Sequence, residues 1–111
     1  MTEENARISS TMLGPEDHGI FTAWLMCEFD GAGQGFGGYG MRYGGFAAWF
    51  IQEVLRVTGA DCWEKIPGRY IRVRRDHGKI HAIGNIENDP LKTRVKGEWF
   101  DPSTYEAKGS P

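Results

Sequence analysis

Eight of the chain's sixteen glycines fall within fifteen residues, Gly31 to Gly45. Glycine weakens a helix or strand interior, and it supplies backbone conformations that other residues avoid. A cluster this dense reads as a loop that divides the chain, and because the enrichment is local it does not mark a low-complexity sequence. The chain as a whole has the makings of one small domain: 111 residues with 40% hydrophobic and 13% aromatic side chains. A single core of this size buries only about two-thirds of the unfolded surface. Two domains are therefore excluded, and oligomerisation is a natural source of added stability.

The segments around the loop follow two periodicities. Ala6 to Leu13 reads as a first strand, and Gly14-Pro15-Glu16-Asp17-His18-Gly19 is a cluster of turn formers. Ile20 to Phe29 reads as a second strand, bounded by Asp30-Gly31. After the glycines, Phe46, Trp49, Phe50, Val54 and Val57 recur at the spacing of a helix face, and Gly59 ends the pattern. Pro67-Gly68 marks another turn. Tyr70 to Arg75 and Lys79 to Ile86 then form two strands joined at Asp76-His77-Gly78. Period two places Ile71 and Val73 on one face of the first, with Tyr70, Arg72 and Arg74 on the other. On the second, Ile80, Ala82 and Gly84 oppose His81, Ile83 and Asn85.

The expected architecture is α+β: an antiparallel sheet of four to five strands in the order ββαββ, with one main helix packed on it. Residues 6–86 form its structured core, and 87–111 a polar tail. Trp99-Phe100 is a costly pair to leave in water, so this part of the tail docks on the domain or on a second copy.

Charge is unevenly distributed behind a formal net of -2. Residues 1–30 carry one basic and six acidic side chains, whereas residues 69–111 carry nine and six. The densest basic stretch is Arg69-Tyr70-Ile71-Arg72-Val73-Arg74-Arg75. Four arginines without a lysine favour planar, bidentate anion recognition, although arginines at such spacing also serve as a solvated strand face. The negative net charge argues against general duplex DNA binding. No apolar run reaches the 18 to 20 residues of a membrane span. The polar, acidic start Met1-Thr2-Glu3-Glu4-Asn5 is unlike a signal peptide, so the expected location is the cytoplasm. There Cys27 and Cys62 serve as small hydrophobes rather than as a disulfide.

Gly33-Gln34-Gly35-Phe36-Gly37-Gly38 matches G-x-G-x-x-G, but seven residues separate its last glycine from Phe46 and no βαβ unit follows. The dinucleotide-binding fold needs its glycines to open the helix directly within a βαβ unit, so that reading is set aside. Successive backbone N–H groups in a glycine loop still form a nest for anions. Phe36, Tyr39 and Tyr43 offer faces for a base, and Arg42 a grip for phosphate. Simple packing accounts for the same composition, and both readings stand. His77 and His81 lack the geometry of a helical metal pair, and Ser9-Ser10-Thr11 carries no nucleophile signature. His18, flanked by Glu16 and Asp17, reads as a turn residue before it reads as a general base.

Taken together, Ala6-Arg7-Ile8-Ser9-Ser10-Thr11-Met12-Leu13-Gly14, Glu16-Asp17-His18-Gly19-Ile20-Phe21-Thr22, Gly33-Gln34-Gly35-Phe36-Gly37-Gly38-Tyr39 and Trp63-Glu64-Lys65-Ile66-Pro67-Gly68-Arg69-Tyr70-Ile71-Arg72-Val73 resemble small bacteriophage proteins of the first Thoeris anti-defence family. The resemblance covers most of residues 6–86. It implies a non-enzymatic, homo-oligomeric sponge in the host cytoplasm that holds cyclic ADP-ribose isomers made by a host TIR-domain immune protein. Some members also hold cyclic di- or trinucleotides at a separate site. The ligand-binding candidates are Phe36, Gly37, Gly38, Tyr39, Arg42, Arg72, Arg74, Arg75 and Asn85. No catalytic residue, metal or cofactor is expected. A protein-binding inhibitor of a host defence enzyme and a small nucleotide-cleaving enzyme are the alternatives.

Overall fold

The structure is a computed structural model that describes residues 1–16, 19–38, 44–86 and 99–105. Strands β1 (Thr2–Pro15), β2 (Phe21–Phe29) and β3 (Ala32–Gly38) precede helix α1 (Gly44–Thr58). Strands β4 (Tyr70–Arg75), β5 (Ile80–Gly84) and β6 (Trp99–Phe100) follow it, and short 3-10 turns occupy Trp63–Lys65 and Pro102–Thr104. The strands form one six-stranded sheet in the order β3-β2-β1-β4-β5-β6, with antiparallel pairing throughout. The α+β class and the single main helix agree with expectation. The sheet is larger than the four to five strands expected, because part of the glycine-rich segment is a strand and because the tail contributes β6.

Strand β3 corrects the loop assignment. Asp30 (φ 46°) and Gly31 (φ 76°) are both left-handed, as a two-residue hairpin between right-twisted strands requires. From there Ala32, Gln34 and Phe36 pair with Phe29, Cys27 and Leu25. Residues directly opposite share a face, so the non-glycine side chains point to the core side while Gly33 and Gly35 fall on the other. The glycines alternate because one face of this strand carries no side chains.

Strand β1 is long because it serves two partners. Thr2 to Arg7 pair with β4, Arg7 to Pro15 pair with β2, and the register shifts between Ile8 and Ser10. Such a bulge bends the strand and raises its local twist. The twisted sheet curls until β3 approaches the β4–β5 turn, where the Gln34 side-chain amide donates to the carbonyls of Asp76 (3.3 Å) and His77 (3.2 Å).

The concave face is covered by α1. Ala6, Ile8, Leu25, Cys27, Phe36, Ile71, Val73 and Ile83 meet Ala47, Phe50, Val54 and Val57 in one cluster. A register shift between Arg74 and Arg75 opposite β5 lets Ile80 and Ile83 both face this core, which departs from the strict alternation expected there. Phe100, 2% exposed, completes it from β6. Trp99-Phe100 thus docks on its own domain. The far end of α1 is closed by polar groups: Gly59 (φ 75°) donates to Leu55, Arg69 Nη1 to Thr58 (3.2 Å) and Asn85 Nδ2 to Val57 (2.7 Å). These bonds satisfy the carbonyls that a helix end leaves open.

Candidate binding surface

No element of the described chain covers the other face of the sheet, where the basic strand meets the acidic start of the protein. Register places Glu3 opposite Arg74 and Asn5 opposite Arg72. Arg74 Nε donates to Glu3 Oε2 at 2.8 Å, and Arg72 Nη1 to Asn5 Oδ1 at 2.8 Å. The charge gradient along the sequence is therefore answered within the fold, by cross-strand pairs. Neither guanidinium is buried: the side chains of Arg72 and Arg74 are 38% and 39% exposed.

Aromatic rings flank these arginines. Trp99 lies over Gly84, where a Cβ would come within 2.9 Å of the indole, and Arg74 stacks on the same ring at 3.9 Å. Tyr70, beside Arg7 on the neighbouring strand, is 61% exposed. At the next step Arg7 faces Glu28 across 3.9 Å, and a hollow of about 560 Å³ opens there among Arg7, Met26, Glu28 and the Asp30–Gly31 turn. Ligand pockets for nucleotide-sized molecules fall in the range of about 300 to 1,000 Å³. Arginines, aromatic rings and a hollow thus form one continuous strip on the open face.

The sequence candidates separate into groups. Arg72 and Arg74 lie together on this strip. Arg75 lies on the opposite face, where its Nε donates to Glu4 Oε2 at 2.6 Å and its guanidinium covers Phe29 at 4.1 Å. Phe36 is 1% exposed and stacks on Phe50 at 5.6 Å, so its ring serves the core and offers no face to a base. Gly37 (φ 104°) is fixed by packing, because a Cβ there would sit 2.4 Å from the Ala23 carbonyl and 2.8 Å from Phe50. Gly38 has open space around it, and its carbonyl accepts from the Thr22 hydroxyl at 2.7 Å. Asn85 is buried as an anchor for α1. Tyr39, Arg42, Tyr43, Asp17 and His18 lie outside the described residues.

One polar constellation was not singled out by sequence reasoning. His81 Nε2 lies 2.6 Å from Asp76 Oδ2, while Asp76 Oδ1 accepts from the amides of Gly78 (2.8 Å) and Lys79 (3.0 Å). The His81 bond, reinforced by those two amides, holds the Asp76 carboxyl well below its ordinary range. The available signal was the Asp-x-Gly of the turn, since an aspartate there hydrogen-bonds the backbone two residues on. Cys27 and Cys62 are free thiols, and burial pushes Cys27 up to about 12, leaving it inert as a nucleophile. Among the described residues no three His, Cys, Asp or Glu side chains converge on a metal position. No helix of the described chain is long and apolar enough to cross a membrane. The chain matches no protein-family model, no curated protein and no solved structure.

Proposed function

We propose that the protein is a non-catalytic sponge that sequesters a cyclic nucleotide signal of the cyclic ADP-ribose class on the open face of its sheet. The observation that carries this reading is the strip on which Arg72 and Arg74 stand half-exposed between Trp99 and Tyr70. A pyrophosphate needs fork-shaped cationic donors, and an adenine needs an aromatic or guanidinium plane. The strip offers both, and the resemblance to the anti-defence family points to the same ligand class. Glu3 holds the arginines in place until phosphate competes for them.

The reading places the protein in the host cytoplasm as a homo-oligomer. Leu13, Ile20 and Phe21, 37 to 43% exposed, cluster beside the β1–β2 turn and give a second copy an apolar surface to cover. The test is calorimetry with cyclic ADP-ribose isomers and cyclic dinucleotides, followed by heat denaturation and assay of the released ligand. Binding, intact recovery, and a ten- to a hundred-fold loss in Arg72→Ala or Arg74→Ala are expected, on the order of one charge-assisted bond. Recovery of a cleaved product would make the protein an enzyme. Absence of any nucleotide affinity would leave a protein-binding inhibitor as the better account.

A further inference from the structure

The curl of the sheet leaves a seam where β3 approaches β5 without pairing to it. A cleft of about 220 Å³ lies in this seam, lined by Gly35 and Gly37 of β3, Phe46 of α1, Lys79 and His81 at the start of β5, and Asp101 to Ser103. Its volume is below the range of about 300 Å³ and more typical of drug-sized ligands. The cleft is therefore suited to a smaller molecule than a nucleotide. None of its residues belongs to the open-face strip.

Three features define what such a molecule must carry. Lys79 is exposed and makes no ion pair among the described residues, so its ammonium is available to a carboxylate. Asp101 lines the same cleft: Oδ1 accepts from the Ser103 amide (2.9 Å) and hydroxyl (2.7 Å), and Oδ2 is left for a cation. Phe46, Ile80 and Pro102 form an apolar wall over a floor of Phe36 and Phe50. On β3, hydrogen-bonded pairing with β2 begins at Phe29–Ala32 and alternates, which turns the N–H and C=O of Gly35 toward the unpaired edge. The lip of the cleft is held by the Asp76–His81 bond and by the Gln34 contacts to the turn, so the site is formed before a ligand arrives.

We propose that this seam cleft binds a free α-amino acid with an apolar side chain. Its carboxylate meets Lys79, its ammonium meets Asp101, and its side chain lies against Phe46. The zwitterion matches a lining that carries one cation, one anion and one apolar wall, and it matches the volume.

The proposal is tested by titrating the isotope-labelled protein with L-leucine, N-acetyl-L-leucine and L-leucinamide, following backbone amide resonances. Leucine shifts the amides of Gly35, Lys79 and Ser103. Loss of the ammonium by acetylation, or of the carboxylate by amidation, weakens binding about tenfold or more. Lys79→Ala, a change at an exposed side chain, reduces leucine affinity to the level of leucinamide and leaves cyclic nucleotide binding unchanged. Asp101→Asn keeps the Ser103 bonds and reduces leucine affinity to the level of the acetylated form. The assignment is overturned if leucine moves none of these amides, if the three ligands bind alike, or if Lys79→Ala binds leucine as the wild type does.

Discussion

Neighbouring glycines of one strand do different work. Gly37 combines a left-handed φ of 104° with a site where a Cβ would stand 2.4 Å from backbone oxygen. Gly35 has no positive φ, and its nearest neighbour, a carbonyl oxygen, would be 4.0 Å from an added Cβ. Gly37→Ala is expected to cost about 1 to 3 kcal/mol in urea denaturation, from strain and overpacking. Gly35→Ala should stay within about 0.5 kcal/mol, as surface changes usually do. Equal costs would mean that β3 is not held against Phe50. Asp76 sets a second expectation. Folding lowers its carboxyl below the ordinary 3.8, so below that pH the unfolded chain binds the proton more readily than the folded one. The contribution is complete above about pH 4 and is lost as pH falls further. Stability of the wild type should thus approach that of Asp76→Asn on acidification from about pH 5 to pH 2. Parallel pH profiles would show that the bonds from His81, Gly78 and Lys79 do not lower this carboxyl.

At the scale of elements, the informative pair is β1 with β4. Glu3 lies within 2.8 Å of Arg74 and 3.9 Å of Arg72. These side chains are half exposed, so Glu3→Gln should lower stability by less than about 1 kcal/mol. It should also tighten binding of a cyclic ADP-ribose isomer, because phosphate no longer competes with a carboxylate. Weaker binding in Glu3→Gln would place the phosphate away from these arginines. This pairing also marks the limit of what the sequence discloses. Alternation in Tyr70 to Arg75 correctly separated Ile71 and Val73 from Arg72 and Arg74, because period two is a local property. That Glu3 and Asn5 are their partners is not local, since the pairs lie 71 and 67 positions apart in sequence. Arg75 stands on the face of Ile71 and Val73, as period two also places it, so its arginine neighbours in the sequence are not its neighbours on the sheet. Strand β3 was legible in Asp30-Gly31 and in the alternation of Gly33, Gly35 and Gly37 against Gln34 and Phe36. Glycine's low strand preference concealed it. The seam cleft was not legible at all, because it exists only once the sheet has curled.

For the whole molecule, the decisive contact is the one that brings the end of the described chain back to the centre. The Phe100 ring stands 5.8 Å from Phe36, 5.5 Å from Phe50 and 5.0 Å from Trp49, and so joins β3, α1 and β6. Trp99, its neighbour, points to the opposite face, where it covers Gly84 and carries Arg74. Adjacent aromatic residues therefore report on different parts of the protein. Phe100→Ala removes a fully enclosed ring and should cost about 3 to 5 kcal/mol. That is a large share of the roughly 5 to 15 kcal/mol that holds a domain together. Loss of the near-ultraviolet circular dichroism of the ring cluster should accompany it. Trp99→Ala removes a partly buried ring outside the core cluster and one cation–π contact of about 0.5 to 1 kcal/mol, so the core signal should survive while the open face loses affinity for nucleotide. The opposite ranking, with Trp99→Ala the more destabilising, would mean that the sheet is held from its open face and that the core does not extend through β6. Because each substitution predicts a different pairing of stability with binding, the two variants separate the structural role of the tail from its role in recognition.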